Sequence, residues 1–231
     1  MTNAALIVAA GRGSRMAAET PKQYLTLGAH TVLHHTVTAF LASDQIDTVQ
    51  VVIHPDDTGL YTTATARITD PRLQPPVHGG ASRSASVRLG LEALSDDAPH
   101  TVLIHDAARP FCPADLITRV IAALADTDGA FAALPVVDAL WATQDGCATT
   151  PLPRDALWRA QTPQAFRFEA ILRAHQALRE DMADDVAVAR KAGLSVGVVE
   201  GAEDNFKITH PDDLARAEAV LGHQQKQGLM T

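Results

Sequence analysis

The stretch Ala4-Ala5-Leu6-Ile7-Val8-Ala9-Ala10-Gly11-Arg12-Gly13-Ser14-Arg15-Met16 decides the fold that this sequence predicts. Its first half is an apolar run of strand length, and its second half is a loop of small and basic residues. Small residues let a backbone approach a ligand closely, and free backbone N–H groups can hold phosphate. Arg15, and Lys22 in the string Pro21-Lys22-Gln23-Tyr24, add positive charge beside that loop. The pattern predicts a nucleoside triphosphate site at the carboxyl end of the first strand of an α/β sheet.

The loop matches neither of the two common phosphate-binding fingerprints. A Walker A loop would need Gly-Lys-Ser/Thr, which is missing. A dinucleotide fingerprint would need a third glycine where Met16 stands. Taken alone, the loop is equally consistent with an ordinary strand-to-helix turn that carries a solvated arginine, and the motifs further along the chain favour the functional interpretation.

Composition limits the class of protein. The chain has 231 residues, a hydrophobic fraction of 46%, an aromatic fraction of 4% and a formal net charge of -8. Such acidity argues against general nucleic-acid binding. Cys112 and Cys147 form neither a CxxC pair nor a cluster with histidine. This pattern indicates a reducing compartment and predicts that the protein has no structural zinc. With no membrane-length apolar run and no signal-peptide pattern, we expect a cytoplasmic protein that is not bound to a membrane.

Apolar runs of strand length alternate with amphipathic stretches along the chain. This rhythm predicts one α/β domain over residues 1–231, with a mainly parallel sheet covered on both faces, that is, three layers. The predicted strands are Ala4–Ala9, Thr48–His54, Gln74–His78, Val102–His105, Ala130–Val137 and Leu194–Val199. The predicted helices cover His30–Leu41, Leu60–Ile68, the residues capped by Ser82, the residues from Pro113, Phe168–Leu178, Asp184–Ala192 and Pro211–Leu221, before a polar, frayed tail over Gly222–Thr231.

The rhythm breaks between Asp138 and Trp158. This segment contains Gly146, two prolines and two tryptophans, Trp141 and Trp158. A mobile surface loop is one interpretation, but two tryptophans are costly to leave in water. We therefore predict a hairpin-like arm over about residues 137–158 that packs on a second subunit.

Further candidate residues follow the predicted strands. Gly79-Gly80 and Ser86 follow one, Asp106 and Arg109 another, and Lys207 a third. The carboxyl edge of an α/β sheet is where ligands bind, and Asp106 can bind Mg²⁺ or a substrate hydroxyl. The alternatives are a glycine turn with a serine cap, a salt bridge between Asp106 and Arg109, and a surface lysine.

The histidines do not suggest a metal site. His34 and His35 are adjacent and point to different sides of a helix, and His105 is expected to pack under Asp106. Four more are predicted to lie on the surface: His54, His100, His175 and His223.

Together these motifs resemble a known family. The strings occur in this order: Ala9-Ala10-Gly11-Arg12-Gly13-Ser14-Arg15-Met16, Pro21-Lys22-Gln23-Tyr24, Gly79-Gly80 with Arg83 and Ser86-Val87, His105-Asp106-Ala107-Ala108-Arg109-Pro110, Thr162-Pro163-Gln164, and Asp204-Asn205 with Lys207-Ile208-Thr209. They are similar to those of the 2-C-methyl-D-erythritol 4-phosphate cytidylyltransferases of non-mevalonate isoprenoid synthesis. The resemblance implies a Rossmann-like nucleotidyltransferase domain, Mg²⁺ dependence and a homodimer whose arms reach the partner's site.

The resemblance also implies residue roles. Arg15 and Lys22 would stabilise charge on the α-phosphate of CTP. Arg154, from the partner subunit, and Lys207 would position methylerythritol phosphate, with Thr162 close by. The nucleotide-binding set would be Ala9, Ala10, Gly11, Gly13, Gly80, Ser86 and Asp106, and Asp106 with Arg109 would lie at the sugar-phosphate pocket.

Two departures from the family pattern leave alternatives open. Ala139 stands where a substrate-contacting threonine is common, and Ala81 stands where an acidic residue is common. A cytidylyltransferase for another polyol phosphate, such as ribitol 5-phosphate, is therefore the nearest rival. A non-catalytic nucleotide-binding regulator is a second, and an NAD-dependent oxidoreductase is a distant third. The tail is also compatible with a linker to a second enzyme.

Overall fold

The first predicted strand forms as β1 (Asn3–Ala9) and lies inside a seven-stranded sheet. The computed structural model describes residues 1–12 and 20–226. The other strands of this sheet are β4 (Thr48–Ile53), β5 (Val77–His78), β6 (Thr101–Asp106), β7 (Gly129–Pro135), β10 (Trp158–Arg167) and β11 (Val196–Glu200). Their order is β11-β7-β10-β6-β1-β4-β5.

The sheet is mostly parallel, as predicted, with one exception. β1 pairs in parallel with β4 and with β6, β4 with β5, and β7 with β11. β10 runs antiparallel to both of its neighbours, β6 and β7. The prediction placed no strand over β10, and this antiparallel strand is a correction to the sequence-based topology.

Helices cover both faces of the sheet. They are α1 (Val32–Leu41), α2 (Thr58–Thr65), α3 (Arg83–Ala93), α4 (Ala114–Ala122), α5 (Phe168–Ala177), α6 (Asp185–Lys191) and α7 (Pro211–Lys226). On β1, Ala5 and Ile7 pack with α1, α2 and α4, whereas Ala4 and Leu6 pack with α3, α5 and α6. Because successive strand residues point to opposite faces, this alternation produces the predicted three-layer arrangement.

Two small hairpins lie outside the main sheet. β2 (Thr26–Leu27) and β3 (His30–Thr31) form one, which packs with α7 through Leu27 and Leu221. β8 (Leu140–Gln144) and β9 (Cys147–Leu152) form the other, within the residues where the sequence predicts an arm. Asp145 and Gly146 join these strands with positive φ angles of 50° and 79°, the conformation of a tight hairpin turn.

The last helix is longer than predicted. α7 continues through Gly222 to Lys226, so the prediction of a frayed tail from Gly222 is wrong for that part. A glycine inside a helix costs about 1 kcal/mol of helix stability relative to alanine. This cost does not end α7, because the residues that follow Gly222 are compatible with a helix. No helix in the described part of the chain combines the length and apolar character needed to cross a membrane.

Candidate active site

The strand ends converge on one cleft of about 480 Å³ at the carboxyl edge of the sheet. Its wall on the β1 side is formed by Ala9, Ala10 and Gly11. Gln23 fixes this wall, since its buried side-chain amide donates to the carbonyls of Ala9 and Gly11 at 2.6 and 3.1 Å. Lys22 precedes Gln23 in a single 3-10 turn and lines the same cleft. The site residues Gly13 and Arg15 lie outside the described residues.

The opposite wall is the glycine turn between β5 and α3. The Ser86 hydroxyl accepts from the Gly80 N–H at 3.1 Å and donates to the Ser82 carbonyl at 2.8 Å. A Cβ atom added at Gly79 would lie 2.6 Å from the Ser86 Oγ and 2.7 Å from the Ala10 Cβ. Only glycine therefore allows the two walls to approach this closely.

Arg12 joins the β1 loop to the turn that follows β4. Its guanidinium donates to Asp57 at 2.7 Å, to Asp56 at 3.0 Å and to His54 at 2.6 Å. The Asp57 side chain is 2% exposed, so this carboxylate is buried with Arg12 as its partner. Both Arg12 and His54 line the cleft.

Asp106 ends β6 at the floor of the cleft, among three cations. Its Oδ2 lies 3.0 Å from Lys207 Nζ and 3.5 Å from Arg109 Nε, and its Oδ1 lies 4.0 Å from Arg83. Burial alone would raise the pKa of Asp106, but Lys207, Arg83 and Arg109 outweigh it and hold the pKa well below its usual value. Asp106 is therefore a carboxylate at neutral pH.

His105 orders the residues behind Asp106. It is fully buried, and burial lowers its pKa to about 4, so the ring is neutral. The Nε2 atom lies 3.0 Å from the Arg109 carbonyl, which only accepts, so Nε2 carries the proton. Nδ1 then accepts from the Thr162 hydroxyl at 3.1 Å, and Thr162 accepts from the Asp106 N–H at 3.0 Å.

The loop after β11 brings Lys207 to the cleft. Asn205 is fully buried; its amide donates to the Thr162 carbonyl at 2.8 Å, and its backbone carbonyl accepts from Arg109 at 2.8 Å. The Ile208 N–H donates to the Ala108 carbonyl at 2.9 Å. These contacts attach the loop to the end of β6, which is why a lysine distant in sequence pairs with Asp106.

The structure brings most of the sequence-predicted site residues together. Those that line the cleft are Ala9, Ala10, Gly11, Lys22, Gly80, Ser86, Asp106 and Lys207. Arg109 and Thr162 lie directly behind Asp106 and are 9% and 3% exposed. Arg154 lies apart from them, where its guanidinium donates to the Val137 carbonyl near the base of the β8–β9 hairpin. Ala81 lines the cleft, whereas Ala139 is exposed.

Several cleft residues were not assigned by the sequence analysis: Arg12, Gln23, His54 and Arg83. Arg12, Gln23 and Arg83 fall within the motif strings, which is the signal that would have nominated them. The prediction that His175 lies on the surface is wrong, because this residue is 2% exposed. Its spacing from Phe168, Ile171 and Leu172 places it on the apolar face of α5.

The cleft concentrates positive charge on an acidic protein. Among the described residues that line it are four basic residues, Arg12, Lys22, Arg83 and Lys207, and one carboxylate, Asp106. Narrow walls of small residues and backbone groups at the carboxyl edge of a parallel sheet add a place for phosphates. These features define an α/β protein that binds nucleoside phosphates.

Comparison with known proteins places the chain within that class. The family model for 2-C-methyl-D-erythritol 4-phosphate cytidylyltransferase matches residues 3–223, and the chain belongs to this family. It is 51% identical to the 2-C-methyl-D-erythritol 4-phosphate cytidylyltransferase of Cereibacter sphaeroides ATCC 17023 over 221 residues, 96% of this chain and 97% of the relative. Cytidylyltransferases are nucleotidyltransferases, so the chain is an enzyme of that kind.

Other relatives and solved structures agree. The chain is 51% identical to a bifunctional enzyme IspD/IspF of Rhodospirillum rubrum over 97% of its own length and 58% of the relative's. The 4-diphosphocytidyl-2C-methyl-D-erythritol synthase of Anaerococcus prevotii superposes with a TM-score of 0.82 at 29% identity, covering 96% of each chain. The cytidylyltransferase of Thermus thermophilus gives a TM-score of 0.77 at 33% identity, covering 94% of this chain and 98% of its own.

Proposed function

We propose that this chain transfers the cytidylyl group of CTP to 2-C-methyl-D-erythritol 4-phosphate, giving 4-diphosphocytidyl-2-C-methyl-D-erythritol and pyrophosphate. Membership of the cytidylyltransferase family supports the reaction. The observation that carries it in this molecule is the cleft, where Lys22 and Lys207 line a glycine-walled space at the sheet edge.

The reaction needs cations more than a general base. A phosphate monoester is largely dianionic at neutral pH, because its second pKa is about 6. One of its oxygens attacks the α-phosphorus of CTP, a new P–O bond forms, and the bond to the β-phosphate oxygen breaks with loss of pyrophosphate. The obstacle is the approach of two anions and the charge on the transferring group, which preorganised basic residues stabilise.

The nucleotide is assigned to the two walls of the cleft. Backbone N–H groups of Ala9, Ala10, Gly11 and Gly13 would hold the phosphates, with Arg15 and Lys22 at the α-phosphate, and Gly80 and Ser86 would hold the base. Support comes from the closeness of these walls: a Cβ atom added at Gly79 would lie 2.7 Å from the Ala10 Cβ.

The methylerythritol phosphate is assigned to the side of the cleft formed by Lys207 and Asp106. Lys207 is 36% exposed and reaches solvent, so its ammonium can attract a phosphate while Asp106 orients it. Arg109 keeps its charge beside Asp106 and is held by the Asn205 carbonyl. The Thr162 hydroxyl is engaged by His105 and by the Asp106 N–H, which gives it an orienting role close to the substrate.

The described residues suit a metal ion that arrives with the nucleotide. The family depends on a divalent metal, and we propose Mg²⁺. Among the described side chains, no group of three or more His, Cys, Asp or Glu can hold a metal ion. Mg²⁺ commonly binds through one or two carboxylates and substrate phosphates. Asp106 is the candidate protein ligand, and the ion would neutralise part of the triphosphate charge.

The hairpin is assigned to a homodimer. Trp141, Leu152, Trp158 and Val137 are 54%, 47%, 43% and 67% exposed, and large apolar side chains so exposed together are typical of a protein interface. Arg154 belongs to this region and does not line the cleft of its own protomer in the described structure. We propose that it serves the cleft of the partner subunit.

A mixing experiment tests this assignment. At methylerythritol phosphate concentrations far below the raised KM of Arg154→Ala, subunits with Lys22→Ala or Arg154→Ala are each expected to be nearly inactive, and the equimolar mixture is allowed to exchange. If Arg154 acts across the interface and Lys22 within its own protomer, half of the dimers contain one intact site, and activity returns to about a quarter of wild type. No recovery, with exchange verified by mass, contradicts the proposal.

A further inference from the structure

A buried ionic network lies directly behind one wall of the cleft, the glycine turn between β5 and α3. This wall, which is assigned to the base of CTP, is called the nucleotide wall below. The Nη2 atom of Arg83 donates to Asp185 Oδ2 at 2.7 Å, and His175 Nε2 lies 3.2 Å from Asp185 Oδ1. The side chains of Asp185 and His175 are fully buried, whereas that of Arg83 is 28% exposed. Arg83 therefore connects a buried carboxylate to the open cleft.

Arg83 lies between two carboxylates and is much closer to one of them. It is 2.7 Å from Asp185 and 4.0 Å from Asp106 Oδ1. Burial opposes the charge of Arg83, yet Asp185 and Asp106 outweigh it and raise its pKa. Likewise, burial would raise the pKa of Asp185, but Arg83 and His175 hold it below the usual value. Arg83 and Asp185 are therefore both charged at neutral pH.

Asp185 is itself held in place by a glutamine of the central sheet. Gln164, on β10, accepts the N–H groups of Asp185 and Val186, both at 3.1 Å, and donates to Asp184 at 3.1 Å. The Asp184 side chain caps α6 by accepting from the Ala187 N–H at 2.9 Å. A carboxylate fixed in this way can hold its arginine at a defined position.

The held arginine starts the helix that carries the nucleotide wall. Arg83 is the first residue of α3, directly after the cap Ser82 and close to Gly80. Asp185 hydrogen-bonds the Arg83 guanidinium at 2.7 Å, whereas Asp106 Oδ1 lies 4.0 Å from it. A closed Arg83–Asp106 pair would narrow the cleft and compete with Lys207 for Asp106.

We propose that Asp185 is a positioning residue: it holds Arg83 in the wall of the cleft and keeps it from closing on Asp106, so that the nucleotide side stays open for CTP. This inference rests on the proposed function. Asp185 touches neither substrate, and its effect on activity passes through Arg83.

The variant Asp185→Asn tests the proposal with little change in volume. It is expected to raise the KM for CTP about tenfold, the cost of one charge-assisted hydrogen bond, while kcat and the KM for methylerythritol phosphate change less. The variant Arg83→Lys leaves a cation beside Asp185 but loses the planar guanidinium, and it is expected to raise the KM for CTP similarly. In the Arg83→Lys background, Asp185→Asn should then add less than about twofold.

Arg88→Gln serves as the matched control. Arg88 lies on the same helix, pairs with Glu92 at 2.8 Å and does not line the cleft, so its loss should leave the KM for CTP unchanged. The proposal is overturned if folded Asp185→Asn keeps the wild-type KM, or if its full effect persists in the Arg83→Lys background. If Asp185→Asn does not fold, a folded Arg83→Lys with the wild-type KM overturns it.

Direct CTP binding separates this proposal from the proposed function. The dissociation constant of CTP, measured by calorimetry, should rise about tenfold in Asp185→Asn. If the wild-type protein binds CTP but releases no pyrophosphate, the proposed reaction fails and this comparison still stands. If turnover is normal and CTP binds both proteins equally, the positioning role alone fails.

Discussion

Acidification is expected to destabilise this protein through His105. The ring is fully buried, donates from Nε2 to the Arg109 carbonyl and accepts at Nδ1 from Thr162. A second proton would have to be placed on Nδ1, where it would oppose the hydroxyl hydrogen of Thr162. Burial therefore lowers the pKa of His105 from 6.5 to about 4, so between these values the unfolded chain binds more protons than the folded one.

The magnitude follows from that difference in pKa. At 1.36 kcal/mol per pKa unit, full protonation of the unfolded state costs about 3 kcal/mol of folding stability. The contribution is intact above pH 6.5 and is lost as the pH falls towards 4; about 2 kcal/mol is gone at pH 5. Asp106 titrates below this window, because its pKa lies below the usual 3.8.

Urea unfolding between pH 8 and pH 5 measures this effect. The variant His105→Gln is expected to be less stable than wild type at pH 8 and to lose about 2 kcal/mol less between the two pH values. His30 and His35, whose pKa values burial also lowers, titrate in both proteins and cancel in the comparison. Phe40→Leu removes the ring contact with His105 but keeps the histidine. Its free energy of unfolding should therefore fall between pH 8 and pH 5 by the same amount as that of wild type. An equal loss of unfolding free energy between pH 8 and pH 5 in wild type and His105→Gln would contradict this prediction.

Three further predictions concern the cleft. Lys22→Ala and Arg15→Ala should each lower kcat roughly 10²-fold in steady-state assays, as does loss of a transition-state donor, and near-normal turnover would exclude that role. Gly79→Ala forces a Cβ to within 2.7 Å of the Ala10 Cβ, so calorimetry should register weaker CTP binding; unchanged affinity would mean that the walls can separate freely. Arg154→Ala should raise the KM for methylerythritol phosphate and leave that for CTP unchanged, and a change confined to CTP would count against its assignment.

The strands with continuous apolar sequence could be predicted, whereas β10 could not. Its residues Trp158–Arg167 include polar side chains and Pro163, and its register shifts between Ala160 and Gln164. Gln161 and Gln164 are buried there because distant groups satisfy them, namely the Ala202 carbonyl and the N–H groups of α6. Such long-range hydrogen bonds leave no periodic signal in the sequence.

The candidate site shows the same division. Residues that directly follow predicted strands, such as Gly80 and Asp106, could be placed at the sheet edge from the sequence. Lys207 also follows a predicted strand, but that pattern alone does not distinguish it from a surface lysine. The family resemblance favoured it, since its approach to Asp106 depends on Asn205 bonding to Thr162. The network of Arg83, Asp185 and His175 joins three elements, and no local pattern reveals it.

Pyrophosphate release measures the proposed cytidylyl transfer directly. The wild-type protein is given CTP and Mg²⁺ with either methylerythritol 4-phosphate or ribitol 5-phosphate, and a reaction without polyol phosphate provides the baseline. We expect turnover with methylerythritol phosphate and almost none with ribitol phosphate, despite the alanine at position 139. Turnover with ribitol phosphate alone, or CTP binding without pyrophosphate release from either, would contradict it.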